Sequence, residues 1–210
     1  NQENKGHGGA LNTGCAAAVG KYLKVIDADD WVDTAALERL IKYLDSVETF
    51  DALITSFTTY DISKDKYEYQ GVKMDDYDRV YNLAELMEHW DDLQIGFSFH
   101  GVLYNTKFYT NQNYKLVEKA FYEDQEYATC PLAWATKVRV LDDPMYVYRI
   151  GDVEEMDEIG YEDYVFGQGV SLIEWANLIE EILPDHYTEI KIEKELEKGF
   201  DYRRISVCEF

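Results

Sequence analysis

Apolar residues along this chain recur with two different periods, and the order in which those periods alternate is the first structural signal. Leu37, Leu40, Ile41 and Leu44 repeat at i, i+3, i+4 and i+7, the stripe of an amphipathic helix that buries one face. Asp33 or Thr34, just ahead of it, offers a side-chain oxygen to cap the first turn. Tyr22 to Ile26 is a short apolar run that predicts a buried strand, and Ala52 to Tyr60 predicts the next. The small residues Cys15 to Ala18 predict a helix that Gly20 ends. Helix, strand, helix, strand is the alternation of an α/β sheet.

Farther along, Asp61 to Tyr69 reads as a turn back into a hairpin. Asn82 with Glu85 three residues later forms a capping box and opens a helix that would carry Leu86, Met87 and Trp90. Gly101 to Tyr104 predicts a strand, followed by a short helix near Lys107 to Tyr109. Glu123 and Asp124 open a helix through Ala128 to Ala135, which Pro131 would kink. Val138 to Leu141 and Met145 to Ile150 predict two short strands on either side of Asp142-Asp143-Pro144.

Beyond Gly151 the pattern changes to acidic helices, Leu172 to Leu183 stopped by Pro184, and Ile190 to Leu196 stopped near Gly199. The boundary therefore falls between an α/β domain over residues 1–151 and an acidic helical extension over residues 152–210. That extension carries no recognisable chemistry. A lid, a cover for the sheet and a docking surface all remain open for it.

Composition narrows what such a chain can do. With 210 residues, 46% hydrophobic and 15% aromatic, it can bury a sizeable core and is too apolar to be disordered. Lys and Arg total 20 against 42 Asp and Glu, a net charge of −22, which argues against nucleic acid as a partner and against attraction to anionic lipid. Cys15, Cys130 and Cys208 are odd in number and far apart, the usage of reduced thiols in the cytoplasm. No run of 18 or more apolar residues and no signal-peptide pattern occurs, so no segment of the chain reads as membrane-spanning.

Candidate chemistry concentrates in Lys24-Val25-Ile26-Asp27-Ala28-Asp29-Asp30-Trp31, where an apolar run ends in three carboxylates. Open α/β sheets place ligands at the carboxyl ends of their strands, and residues two apart on a strand point the same way. Asp27 and Asp29 would then share one side, toward a hard divalent cation that takes one or two carboxylates and fills its remaining positions with water and substrate phosphate. An EF-hand loop counted from Asp27 fails, because Val32 stands where that loop needs glycine. A solvated acidic turn and helix capping stay open as plainer readings. Asn4 to Gly14 is a glycine-rich turn whose N–H groups could approach a phosphate or sugar, or whose small residues simply permit tight packing. It matches neither the P-loop nor the dinucleotide fingerprint. Glu123 and Asp124 serve equally as a reactive pair or as helix-capping acids. His89 and His100 are isolated and read as structural.

Together these landmarks resemble the family 2 glycosyltransferases. The residues that carry the resemblance are Asn4-Lys5-Gly6, Gly9-Ala10-Leu11-Asn12, Gly20-Lys21-Tyr22-Leu23, Asp27-Ala28-Asp29-Asp30-Trp31, Glu123-Asp124 and Tyr146-x-Tyr148-Arg149-x-Gly151, in family order over residues 1 to 151. The arginine that many members carry before the asparagine is Leu11 here. The resemblance implies the GT-A fold, a Rossmann-like mixed sheet flanked by helices that binds a nucleotide-diphospho-sugar. The family's nucleotide-binding strands would precede Asn1, so the expected form is truncated at its amino end and followed by the helical extension. A second copy could complete such a half-site as a homodimer.

The same resemblance implies that Asp27 and Asp29 hold Mn²⁺ or Mg²⁺ on the donor diphosphate. Gly8, Gly9, Asn12 and Asp27 would line the donor, Asp124 would be the general base, and Glu123 would support it. Transfer would invert the anomeric carbon and deliver the sugar to a saccharide or lipid-linked acceptor in cell-surface polysaccharide assembly, in the cytoplasm or at the inner membrane face. A non-catalytic module that binds glycan or protein through the chain's 18 tyrosines is the alternative. A two-carboxylate glycoside hydrolase is a further alternative that leaves the Asp-x-Asp spacing unexplained.

Overall fold

The computed structural model describes residues 3–120, 122–151, 183–194 and 203–210. It divides into two compact units, Asn1–Ile150 and Gly151–Phe210.

In the first unit, helix α1 (Gly6–Ala17) leads into β1 (Tyr22–Leu23), then β2 (Trp31–Val32) and helix α2 (Thr34–Ser46). The long strand β3 (Ala52–Asp61) turns back into β4 (Lys66–Gln70). Helices α3 (Leu83–Met87) and α4 (Trp90–Leu93) precede β5 (Val102–Asn105) and α5 (Thr106–Asn111). Helix α6 (Glu123–Thr129) and a 3₁₀ turn at Pro131–Trp134 lead to β6 (Val138–Ile150). The sheet order is β1-β5-β3-β6-β2, with β4 beside the far half of β3. Among the described strands only β3 and β6 run parallel.

Alternation along β3 and β5 sorts the core onto two faces. Ala52, Ile54, Val102 and Tyr104 bury against α1, α6 and the residues around Phe99, whereas Leu53 and Leu103 bury against Ala36 and Leu40 of α2. The sheet is therefore covered on both sides, which is why β3 opens on an unbroken apolar run, Ala52-Leu53-Ile54, with the first six residues buried.

Several sequence expectations hold here. The stripe of Leu37, Leu40, Ile41 and Leu44 lies within α2, and the Asp33 carboxylate accepts the Ala36 N–H. Asn82 and Glu85 form the capping box of α3, and β3 and β4 form the hairpin. The helix opened by Glu123 and Asp124 is present but does not run kinked to Ala135: it ends at Thr129, and Pro131, which has no N–H to continue the ladder, starts the separate 3₁₀ turn.

Others need correction. The strand expected over Tyr22 to Ile26 ends at Leu23, where its pairing with β5 stops at Tyr104; from Lys24 on, the contact with the segment before β5 and its first residue passes through the Lys24 side chain instead. The helix expected from Cys15 already begins at Gly6 and ends at Ala17. Gly8 lies so close to Val117 that a Cβ would sit 2.3 Å from its carbonyl oxygen, so this glycine serves helix packing rather than an open turn. The single helix expected to reach Trp90 breaks at His89 into α3 and α4. The two strands expected around Asp142-Asp143-Pro144 are one strand, β6, because β3 runs unbroken beside it. The register shifts between Thr55 and Phe57, and this irregularity absorbs a proline that has no N–H to give the ladder.

The second unit corrects the helical extension. Ile190 to Leu196, expected as a helix, lies mostly in β7 (Thr188–Lys194), which pairs antiparallel with β8 (Arg203–Glu209). Thr188-Glu189-Ile190-Lys191-Ile192-Glu193 alternates with a period of two, so Ile190 faces Val207 and Ile192 faces Ile205. The helix expected over 172–183 falls outside the described residues, save Leu183.

Candidate active site

The carboxylates of Asp27, Asp29 and Asp30 lie in a turn, closed by the Asp30 N–H donating to the Asp27 carbonyl at 3.2 Å. They are not on a continuous strand, so strand alternation does not set where Asp27 and Asp29 point. Each has a different environment. Asp29 is exposed. Asp30 is held from two directions, by the Tyr146 hydroxyl and by the Arg149 N–H at 2.7 Å. Its acceptors are engaged in fixing the turn to β6.

Asp27 faces α1. His7 contacts its carboxylate through Nε2 at 3.2 Å and reaches Glu123 through Nδ1 at 2.9 Å. One ring thus ties the acidic turn to the amino end of α6. Burial raises the Asp27 proton affinity, opposed by His7 and reinforced by the nearby charges of Asp29 and Asp124. Asp124, one residue beyond Glu123, is therefore within electrostatic reach of the turn. Tyr148 feels the same group, its hydroxyl pushed up by burial and by Asp30, Asp29, Asp124 and Asp27. The residue leading into α6, Tyr122, has a left-handed backbone (φ 67°), strained for a bulky side chain and of the kind that gathers at functional sites.

Beneath the turn, the Lys24 ammonium donates to the carbonyls of Phe99 (2.8 Å), His100 (2.7 Å) and Val102 (2.9 Å). It also lies 4.9 Å from the centre of the Tyr146 ring. Burial pulls its pKa down to about 7, with Asp27 and Asp30 opposing. Three carbonyl acceptors favour the charged form, since each would lose its donor interaction with an uncharged amine pointed elsewhere. His100 stacks on Tyr148 at 3.9 Å. Burial and the Lys24 charge pull its pKa down to about 3, so it stays neutral and belongs to the packing, as expected of an isolated histidine.

The structure thus brings Asp27, Asp29, Glu123 and Asp124 to one edge. It places the other named residues differently. Gly8 and Gly9 are buried inside α1. The Asn12 amide both donates to the Leu116 carbonyl and accepts the Leu116 N–H, each at 2.9 Å, so it pins α1 to the segment before α6. A cavity of about 440 Å³ opens beside the turn between α1 and residues 23–28, with His7, Leu11, Lys24 and Asp27 in its walls. That volume lies within the range of small-molecule sites. Two residues escaped the sequence reading, His7 and Lys24. No spacing rule marks either, because the partners of His7 lie 20 and 116 positions away and those of Lys24 lie 75 to 78.

Among the described residues no group of three or more His, Cys, Asp or Glu side chains forms a metal cage. Mg²⁺ or Mn²⁺ bound with substrate phosphate needs fewer protein ligands. Asp27 and Asp29 suit that role chemically, since they are hard oxygen donors whose mutual repulsion a divalent cation would relieve.

The family model for glycosyl transferase family 2 matches residues 1–149, and the chain belongs to that family. Glycosyltransferase GlyA of Streptococcus pneumoniae is 26% identical over 157 residues, covering 71% of this chain and 22% of that protein. The uncharacterised glycosyltransferase EpsJ of Bacillus subtilis is 28% identical over 165 residues, covering 77% of this chain and 46% of its own length. The fold is the GT-A type. Crystal structures of S. aureus TarS 1-349 superpose with a TM-score of 0.50 at 18% identity, covering 70% of this chain and 39% of that one in the UDP-GlcNAc complex, and 82% and 48% in the structure without it.

A separate model, that of threonylcarbamoyl adenosine biosynthesis protein TsaE, matches residues 142–205. The B. subtilis TsaE protein is 44% identical over 66 residues, 30% of this chain and 39% of that protein. The chain thus spans less than half the length of each curated relative it matches. Tyr146-x-Tyr148-Arg149 falls where the two matched stretches overlap. No helix among the described residues is long and apolar enough to cross a membrane.

Proposed function

We propose that the first unit carries out glycosyl transfer from a nucleoside-diphosphate sugar, with inversion, by a metal-dependent displacement at the edge formed by the acidic turn and α6. The observation that carries this reading is the convergence of Asp27, Asp29 and Asp124, with Asp27 and Glu123 bridged by His7. Asp27 and Asp29 would hold Mn²⁺ or Mg²⁺, whose charge offsets the negative charge gathering on the departing nucleoside diphosphate. Asp124 takes the proton from the acceptor hydroxyl as it attacks the anomeric carbon. Glu123 and His7 keep α6 and the turn in register, and Asp30, locked by Tyr146 and Arg149, keeps the turn on β6. The cavity beside Asp27 receives the donor.

The TarS complex with UDP-GlcNAc supports a UDP-sugar as the first donor to try, and family membership supports a saccharide or lipid-linked acceptor in polysaccharide assembly. Calorimetric titration of UDP into this chain, with and without Mn²⁺, tests the reading. Binding that requires Mn²⁺ and disappears in Asp29→Ala is expected. Equal binding without metal, or in Asp29→Ala, would overturn it.

The similarity of residues 142–205 to TsaE favours a separate reading for the second unit. We propose that residues 152–210 form a TsaE-like segment with no part in transfer. Ile190→Thr, on the exposed face of β7, should then leave the UDP titration unchanged.

A further inference from the structure

The face of the sheet turned away from the acidic edge carries a second concave surface. In β6, Tyr146 and Tyr148 reach the acidic turn and His100, while Val147 between them points the other way. Strand alternation therefore separates the two surfaces by the thickness of the sheet. Val147 lines a cavity of about 370 Å³ together with Trp31, Thr58, Tyr67, Ala36 and Arg39.

Two rings, Trp31 and Tyr67, line one wall, and Tyr60 links them from outside the lining. Trp31 meets Tyr60 edge-on at 5.6 Å between ring centres, and Tyr60 meets Tyr67 directly across the β3–β4 ladder at 4.5 Å. Tyr67 remains 58% exposed. A large ring held on a paired strand with its surface in solvent is an apolar area that folding has not used. The opposite wall is polar. Arg39 makes a bidentate pair with the buried Asp143 carboxylate, Nε to Oδ2 at 2.9 Å and Nη2 to Oδ1 at 3.0 Å. The guanidinium has further N–H donors beyond the two it uses.

These walls suit a neutral polyhydroxylated ring. The negative face of an aromatic ring attracts the weakly positive C–H hydrogens on the apolar face of a pyranose. Donors and acceptors on a bidentate pair match neighbouring hydroxyls. Charge selects against the other ligands. The chain carries −22 overall, and the arginine here is already neutralised, so a phosphate, nucleic acid or acidic lipid finds no uncompensated cation. A cation finds Asp143 taken by Arg39 and one Asp33 oxygen accepting from Ala36.

We propose that the groove between α2 and the Trp31–Tyr67 wall binds neutral saccharide, separately from the acidic edge. It goes beyond the transfer reaction and stands apart from it, since binding here needs neither donor nor metal. Saturation-transfer NMR with cellotriose, maltotriose and chitotriose at millimolar concentration tests it on the full chain. At least one trisaccharide should bind, and Trp31→Ala and the exposed-site variant Tyr67→Ala should each weaken it about tenfold. Binding should persist in Asp29→Ala and in the presence of UDP and Mn²⁺, which separates this proposal from the fate of the transfer reading.

Displacement by UDP and Mn²⁺ would return the sugar to the acidic edge and overturn the proposal, as would unchanged binding in both ring variants. Failure of all three trisaccharides to bind would also overturn it. If the chain then self-associated in a way that Tyr67→Ala relieved, the face would be a protein interface instead.

Discussion

Helices α1 and α2 cover opposite faces of the same sheet and are nearly equal in length, 12 and 13 residues, yet they are stabilised by different physics. α2 carries its own instructions. It has a side-chain cap from Asp33, a clear apolar stripe and no glycine. α1 contains four glycines, has no side-chain cap from the residue before it, and is weakly amphipathic. Such a sequence costs about 1 kcal/mol per glycine relative to alanine and would not hold a helix alone. Its order comes from outside, through Asn12 on Leu116, His7 on Glu123 and Gly8 against Val117. The helix beside the acidic edge is thus defined by its contacts, and the helix behind the sheet by its local sequence.

The strongest test of that contrast is Gly8→Ala. By propensity it should stabilise α1, but its Cβ would fall 2.3 Å from a backbone oxygen of Val117. The contact should win and destabilise the chain by about 3 kcal/mol in urea denaturation. A neutral or stabilising result would mean that α1 depends on local preference after all.

A smaller effect should come from pH on the α1 face. The His100 pKa is pulled from 6.5 to about 3 by burial and Lys24. Between those values the unfolded chain binds a proton that the folded chain refuses, so stability falls as pH drops from 6.5 toward 3. His100→Phe keeps a ring on Tyr148 and removes the titration. It should flatten this limb, leaving the variant about 2 kcal/mol better off at the acid end than at pH 8, relative to wild type. Parallel acid limbs in both proteins would exclude His100 as the cause.

The smallest effect should come from Asp33→Ala, which removes the cap of α2. A loss of about 1 kcal/mol is expected, with the amide shifts of α1 and α6 unmoved. Shifts spreading to the acidic turn would show that the two faces are coupled through the sheet.

The same contrast explains what the sequence disclosed. α2, the β3–β4 hairpin, the capping box of α3 and the start of α6 were legible because their causes lie within a few residues of each other. The acidic turn was legible as chemistry, and Glu123-Asp124 as its partner, because the resemblance to a family supplied their proximity. The extent of α1 was not, since glycines predict a turn unless Val117 is known to lie against them. Nor was the continuity of β6, where an Asp-Asp-Pro break is overridden by an unbroken neighbouring strand. The β7–β8 pair was missed for a different reason. Ile190 and Ile192 alternate with charged residues, the period of a strand, whereas Ile190 to Leu196 is expected as one of two acidic helices. The kinship of residues 142–205 to TsaE left no periodicity to notice.

The Asn12–Leu116 clasp has a consequence for how the protein is made. Its two halves are 104 residues apart, so at roughly 5 to 20 residues per second several seconds pass between the synthesis of α1 and that of its partner. During that interval the newborn segment has no surface on which to become a helix. Its small-residue, glycine-rich composition then becomes an advantage, because a waiting segment whose one large apolar side chain is Leu11 gives chaperones and neighbouring chains little to seize.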